Sequence, residues 1–299
     1  MPKSKPSISI IGAGRLGTAL AIALTSKGYP IVAAAARHAA RARKAISLAD
    51  LPSHTLALGG DQLEQLPPSD LVLITTPDDV IADIAHSFAR LRRSSRHRTT
   101  FLHTSGALSS EVLSPLARRG FHIGSIHPLV SVSDPRTGAN ALRGAFYCVE
   151  GDSVATRFAK AIARDLDGTS FKIKRESKAL YHAAAVMASP HLVALFDVAT
   201  QVLVSCGLKP REAQKILAPL VQSTVNNLKQ TSPEKALTGT FARGDLATVQ
   251  RHLKALSGKQ LAEAREIYKL LGLHSLQLAA RQGLDAKLAT EIKSALKNK

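Results

Sequence analysis

Ser7-Ile8-Ser9-Ile10-Ile11-Gly12-Ala13-Gly14-Arg15-Leu16-Gly17 is the stretch from which the rest of the chain is read. An apolar run enters G-x-G-x-x-G, a helical pattern from Thr18 to Lys27 follows at once, and a second strand is expected at Ile31–Ala36. Gly12 permits a tight turn off the strand, Gly14 lets the backbone approach a pyrophosphate, and Gly17 lets helix and strand pack closely. The unpaired N–H groups of Arg15, Leu16 and Gly17, together with the positive end of the helix dipole, then face the phosphates. The spacing predicts a dinucleotide-binding turn at the start of an α/β Rossmann domain with a doubly wound parallel sheet.

A site that prefers NAD places Asp or Glu about 20 residues past the glycines, on the ribose hydroxyls. Here the second strand runs Ala34-Ala35-Ala36-Arg37-His38, Arg41 and Arg43 follow, and no carboxylate precedes Asp50. Arg37 offers a bidentate cationic partner to a 2′-phosphate. The expected cofactor is therefore NADP, bound as NADPH, ahead of NAD. The competing reading makes Arg37 and Arg41 solvated charges at a helix start.

With 299 residues the chain has length for two domains, and 45% hydrophobic with 21% charged residues describes an ordinary globular protein. The formal charge of +18 raises nucleic acid as a partner. Aromatics at 4% and the absence of Trp leave little for base stacking. The basic excess is spread along the chain, its one dense run being Arg90 to Arg98, so nucleic-acid binding is not expected. The two cysteines, Cys148 and Cys206, lie far apart and lack partners at metal-ligand spacing. That points to a reducing, cytoplasmic setting with neither a disulfide framework nor a metal site. The apolar residues after the polar start read as the nucleotide strand and not as a signal-peptide core. The longest apolar run, Ala183 to Val204, holds Ser189, Pro190, His191 and Asp197, and is expected to be a buried core helix instead of a membrane span.

Asp61 to Pro68 reads as a polar link. The strand Asp70–Ile74 then delivers Thr75-Thr76-Pro77-Asp78 to the carboxyl edge of the sheet, where ligands of such folds sit. Thr75, Thr76 and Pro77 are thus placed beside the cofactor. A helix over Val80–Leu91 follows. The strand Thr100–His103 brings His103, Ser105 and Gly106 to the same edge, and Phe121–Pro128 brings His127. Each is, singly, an ordinary turn or cap residue; together they outline a substrate pocket. Residues 129–143 read as a loop, with Asp134-Pro135 and Thr137-Gly138 as turn signals. Strand, helix and strand follow at Ala145–Val149, Ser153–Leu166 and Thr169–Ile173. From Glu176 the period is helical, over about 177–205, 210–229, 245–256, 258–271 and 285–298, with Gly258 and Gly272 among the punctuation. The domain boundary is placed near Arg175, giving a Rossmann domain over 1–175 and an all-α domain over 176–299.

In Lys178-Ala179-Leu180-Tyr181-His182, Lys178 and His182 fall one turn apart on one helix face, and Ser189 returns to almost the same angle. A lysine and a histidine on an apolar, alanine-rich helix are costly to bury unless paired or used, and such groups are often acids or bases. Further on, Asp245 is a natural N-cap, while Arg243 reads equally as a surface charge or as a clamp for a substrate carboxylate.

The strings HTSGAL (103–108), GSIHPL (124–129), KALYHAAAVMAS (178–189) and LTGTFARGDLATVQRHL (237–253) resemble the Rossmann-like oxidoreductases that carry a C-terminal domain of unknown function 2520. That family is similar in architecture to pyrroline-5-carboxylate reductase, ketopantoate reductase, prephenate dehydrogenase and the β-hydroxyacid dehydrogenases. The resemblance implies an NADP-dependent oxidoreductase for a small anionic keto, hydroxy or imino acid, and a homodimer formed through the helical domain. It implies Lys178 as proton donor or carbonyl-polarising cation with His182 as its partner. Ser105, Gly106, His127, Ser189 and Arg243 then contact substrate. Two positions depart from the family: Pro190 follows Ala188-Ser189 where Asn is usual, and Thr240 follows Thr238-Gly239 where Pro is usual. Pro190 removes a helix hydrogen bond and is expected to kink the helix beside Ser189. A second reading is a non-catalytic NADP-binding sensor or scaffold whose helical domain meets a protein partner.

Overall fold

The computed structural model describes residues 4–91 and 99–298, so the basic run at Arg90–Arg98 falls largely outside the described residues. The chain forms two compact units, Met1–Ser189 and Pro190–Lys299. This division falls later than Arg175 because Lys178, at the start of its helix, is buried in the first unit.

The first unit runs β1 (Ile8–Ile11), α1 (Arg15–Thr25), β2 (Ile31–Ala35), α2 (Ala39–Leu48), β3 (Leu56–Leu58), β4 (Leu71–Ile74), α3 (Asp78–Arg90), β5 (Thr100–His103), α4 (Ser114–Ala117), β6 (His122–Pro128), α5 (Pro135–Ala141), β7 (Phe146–Gly151), α6 (Ser153–Asp165), β8 (Thr169–Phe171) and α7 (Lys178–Ala188). The sheet order is β3-β2-β1-β4-β5-β6-β7-β8. Neighbours are parallel except β6 and β7, which run antiparallel. The order reverses between β1 and β4, and the crevice outside their carboxyl ends is where open α/β sheets hold ligands.

Both faces of this sheet are covered, so its strands read as nearly continuous apolar runs. Ile8 and Ile10 of β1 join Leu71 and Leu73 of β4, Leu102, Ile126, Tyr147 and Val149 in a core with α1 and α6. The alternate residues Ile11, Val72, Ile74 and Phe101 pack with α3 on the opposite face. Ala34 of β2 meets Ala42 and Ala45 of α2, where small side chains let helix and strand approach closely.

Residues 129–143 are not all loop. Asp134 accepts hydrogen bonds from the N–H groups of Arg136 and Thr137 and caps α5, whose first residue is Pro135. The Asp-Pro pair taken for a turn is a helix start, because Pro at the first helical position surrenders an N–H that has no partner there anyway. Ala139 and Leu142 enter the core beside α1. A methyl group on Gly138 would sit 3.3 Å from Ala19 Cβ and 2.4 Å from Val132 Cγ1, so only glycine allows this approach. The expected link at 61–68 holds a 3₁₀ turn over Gly60–Gln65.

The second unit holds α8 (Pro190–Val204), α9 (Pro210–Gln230), α10 (Pro233–Ala236), α11 (Leu246–Ala255), α12 (Ala262–Arg281) and α13 (Ala286–Lys297), with no strand among the described residues. Its core is Val249, Leu276, Ile292 and Leu296, flanked by Phe241 and Tyr268. Asp245 caps α11 by accepting from Thr248 N–H at 3.0 Å, as its position predicted. Gly272 does not end a helix: it lies inside α12, where an added methyl would come within 2.8 Å of the Phe241 ring. Pro190 does more than kink the helix expected over 177–205: one helix ends before it and the next begins with it. Ser189 leaves the helical region at φ −127°, ψ −73°, and α8 begins one residue on.

The apolar run 183–204 is not a buried core helix. Of α8 only Thr200 is buried, and Val193 is 69% exposed. Residues 175–204 are long and apolar enough to cross a bilayer by length and composition. The expectation failed because the unit's core lies among α11, α12 and α13 and does not take in α8.

Candidate active site

The glycine loop follows its sequence logic. Gly12 adopts φ +108°, and a methyl there would lie 2.6 Å from the Thr75 carbonyl carbon and 2.7 Å from Thr76 N. Gly17 is as tightly held, 2.3 Å from Gly12 O and 2.5 Å from Thr75 Oγ1 by the same measure. Gly14 is different: an added methyl would meet only Gly12 O, at 3.9 Å. Two glycines therefore satisfy the protein, and the third leaves open space. The first turn of α1 carries no acidic residue, so Arg15, Leu16 and Gly17 offer a helix N-terminus free of carboxylates to an anion.

Thr75 donates its hydroxyl to Gly12 O at 2.7 Å and ties β4 to the loop. Thr76 Oγ1 is buried and has no hydrogen-bond partner among the described residues. Such a group is rarely left unpaired, and it supports a polar ligand at this edge. Pro77 is the exposed N-cap of α3. Arg37 is exposed just past β2, and its carbonyl accepts from Gly60 N–H at 3.3 Å. These residues fit a dinucleotide: an open cradle, an orphaned hydroxyl and an exposed cation at the end of β2.

Beside this edge the antiparallel pairing of β6 with β7 gathers polar side chains. His103 opposes Ser125, Ser125 opposes Glu150, and His127 opposes Cys148. Directly opposed residues share a face of the sheet, here the one turned away from Ile126 and Val149. Lys178 enters this cluster from the start of α7. It is 1% exposed, and its Nζ donates to Ser105 O at 3.1 Å and to Ser125 Oγ at 3.3 Å. Burial lowers its pKa from 10.5, while Cys148, Glu150 and Asp78 oppose the shift.

Ser105 and Gly106 shape the rim. The Ser105 hydroxyl donates to Asp78 Oδ2 at 2.8 Å and accepts from the N–H groups of Ala107 and Leu108. Its side chain thus builds the loop, and its carbonyl holds Lys178. A methyl on Gly106 would lie 2.9 Å from His127 Cε1 and Nε2 and 3.1 Å from His182 Cδ2. The two imidazoles, with ring centroids 5.7 Å apart, therefore press against this glycine. Lys178, His182, Ser105, Gly106 and His127 meet in one place. Ser189 does not join them: it lies about 10 Å beyond His182 and about 16 Å beyond Lys178 along the axis at 1.5 Å per residue. Arg243 belongs to the second unit, exposed on a turn where its N–H donates to Gly239 O and its charge helps hold the Asp245 carboxyl low, after the hydrogen bonds from Thr248.

Ser125, Glu150 and Tyr181 were not singled out in the sequence, whereas His103 was among the polar groups expected at this edge. His103 is fully buried; its Nδ1 accepts from Ser105 N–H at 3.2 Å and its Nε2 lies 3.2 Å from Ser109 O. That pairing selects the neutral Nε2–H tautomer. Burial, then the charge of Lys178, lowers its pKa to about 4. Glu150 accepts from Ser110 N–H and hydroxyl, both at 2.7 Å, and from Arg175 Nε at 2.9 Å, while Arg175 also reaches Glu111 at 2.8 Å. This clasp holds the residues before α7 against the sheet. Tyr181 bonds His127 Nδ1 at 2.7 Å. The alternation Ser125-Ile126-His127 was the available signal, but the strand opposite it was not known from sequence.

Residues 1–128 match the Rossmann-like domain, and residues 145–275 match the family described as Domain of unknown function (DUF2520). No curated protein matches the chain. Among solved structures, a Bacteroides fragilis protein provisionally named an NADP oxidoreductase aligns at TM-score 0.74 and 22% identity, covering 92% of this chain and 99% of that one. Protein TM1727 of Thermotoga maritima aligns at 0.63 and 24% identity, covering 97% and 100%. A pyrroline carboxylate reductase of Plasmodium falciparum with NADP bound aligns at 0.54 and 12% identity, covering 98% and 97%. The chain is structurally similar to NAD(P)-dependent oxidoreductases, and at these identities the likeness shows the shared fold.

Proposed function

Because the chain is a Rossmann-like domain joined to a domain of unknown function 2520, we propose that it is an NADP-dependent oxidoreductase acting on a small anionic keto, hydroxy or imino acid. The observation that carries this reading is the convergence of Lys178, His127 and His182 on Gly106, at the sheet edge that also bears the glycine loop. The bound nicotinamide supplies or receives the hydride. Arg15, Leu16 and Gly17 hold the pyrophosphate, Thr75, Thr76 and Pro77 border the nicotinamide side, and Arg37 meets the 2′-phosphate. Lys178 lies at the floor of the pocket, where its charge is little screened, and stabilises negative charge that develops on a substrate oxygen. Two of its three N–H bonds are committed to Ser105 and Ser125, which fixes the direction of the third. His182, one turn along α7, exchanges the proton at that oxygen.

The exposed apolar surface of the second unit, with Val193 at 69%, Ile216 at 52% and Leu220 at 64%, supports assembly as a homodimer through the helical domain. Titration with NADPH and NADH, followed by nicotinamide fluorescence, tests the cofactor assignment. Arg37→Ala is expected to weaken NADPH binding about tenfold, in line with loss of a charge-assisted hydrogen bond, and to leave NADH unchanged. Equal loss of both would remove Arg37 from the phosphate site, and binding of neither by wild type would bring forward the reading as a partner-binding scaffold.

A further inference from the structure

His127 and Tyr181 form a pair whose geometry fixes a proton. Tyr181 Oη lies 2.7 Å from His127 Nδ1, and the rings meet edge to face at 5.6 Å between centroids. Phe171 packs on Tyr181 at 5.9 Å, so the phenol is held from a second side. A phenol is a better acid than a neutral imidazole N–H, and imidazole nitrogen is a better base than phenolic oxygen. The proton in this bond therefore belongs to Tyr181, which donates to Nδ1.

The surroundings agree. Burial, and next the adjoining Cys148, push the Tyr181 hydroxyl well above its ordinary value, so it remains a donor. Burial, then the charges of Lys178 and His182, lower His127 to about 4 and keep it neutral. Cys148 is held as a thiol by its own burial, and a thiol sulfur is a weak competitor for the phenolic proton. With Nδ1 accepting, the single ring proton of His127 lies on Nε2. That nitrogen borders Gly106, where a methyl would come within 2.9 Å of it, and it has no protein partner among the described residues.

We propose that Tyr181 is a positioning residue that fixes His127 as a neutral Nε2–H donor at Gly106, so that the pocket selects ligands presenting an oxygen acceptor. The proposal rests on reading the Gly106 rim as the substrate pocket, but the tautomer is a property of the ligand-free protein and is measured apart from that reading. Lys178 and His127 then both offer donors. A carboxylate, carbonyl or hydroxyl oxygen is accepted there, and an ammonium group is turned away.

The test is a long-range ¹H–¹⁵N spectrum of the ¹⁵N-labelled full chain at neutral pH, with the His127 signals assigned by their absence from His127→Gln. Wild type is expected to show a protonated Nε2 and a bare Nδ1. Tyr181→Phe keeps the ring and loses the hydroxyl, and is expected to shift His127 toward an average of both tautomers. A backbone amide spectrum retained in Tyr181→Phe excludes unfolding as the cause. A wild-type His127 protonated on Nδ1, or a His127 signal unmoved in Tyr181→Phe, would overturn the assignment. If that variant fails to fold, the wild-type tautomer alone decides.

Discussion

Replacing Lys178 by methionine separates a residue kept for chemistry from one kept for the fold. The substitution preserves length and apolar bulk while removing an ammonium that is 1% exposed. Two hydrogen bonds are lost, to Ser105 O and Ser125 Oγ, each worth about 1.5–3 kcal/mol for a charged donor. Against this stands the desolvation of a buried ion, several kcal/mol even after relaxation, which no carboxylate within hydrogen-bond reach offsets among the described residues. The terms are of similar size. Lys178→Met is therefore expected to unfold within about 2 kcal/mol of wild type at pH 7 by urea titration, with NADPH affinity unchanged and turnover abolished. A second arm uses pH. Because burial lowers the folded pKa of Lys178 below its ordinary 10.5, the unfolded chain binds more protons between that lowered value and 10.5. Wild-type stability should accordingly rise with pH through that window relative to the variant. A loss above about 4 kcal/mol, the range of a damaged core, or parallel pH profiles for the two proteins, would refute the reasoning.

Gly14→Ala and Gly17→Ala should behave as opposites: the first fits the protein, leaving stability within about 1 kcal/mol, yet blocks NADPH binding, whereas the second also costs about 1–3 kcal/mol by overpacking against Gly12 and Thr75, as thermal unfolding with and without NADPH will show. Acid should act through His103. Its pKa falls from 6.5 unfolded to about 4 folded, so between those values the unfolded chain takes up a proton that the folded chain refuses. About 3 kcal/mol of stability, complete above pH 6.5, should be lost as pH falls to 4, and His103→Gln should flatten that slope. Val193→Lys with Ile216→Lys should turn the expected dimer into a monomer by sedimentation at unchanged helix content; a wild type that is already monomeric would end the dimer proposal.

What the sequence disclosed followed local spacing. Gly12, Gly14 and Gly17 announce their roles because their spacing is local, although Gly12 and Gly17 are also held against Thr75 from across the chain. Lys178 and His182 were paired by helical period, and Asp245 by its place before an apolar run. What stayed hidden depended on contacts across the chain. Glu150 and Cys148 join the site only because β7 runs against β6, and no spacing within either strand reveals that direction. Tyr181 sat between two noticed residues and drew no attention, since its value lies in a bond to a side chain 54 positions away. The 183–204 run misled for the converse reason: apolar content alone does not say whether this chain supplies a cover for it.

The packing of α5 on α1 bears on how this protein can drift through insertion and deletion. The connection from β6 to β7 emerges at the ligand edge, where changes of length ordinarily diversify specificity. Its middle, however, is the wall behind the helix that presents the glycine loop, with Gly138 fitted against Ala19 and with Ala139 and Leu142 in the core. Lengthening is thereby confined to the stretches flanking Pro135–Ala141, near Leu129 and Arg143. Descendants of this chain can retailor their pocket from those two margins, while the seven residues between them are inherited as a block.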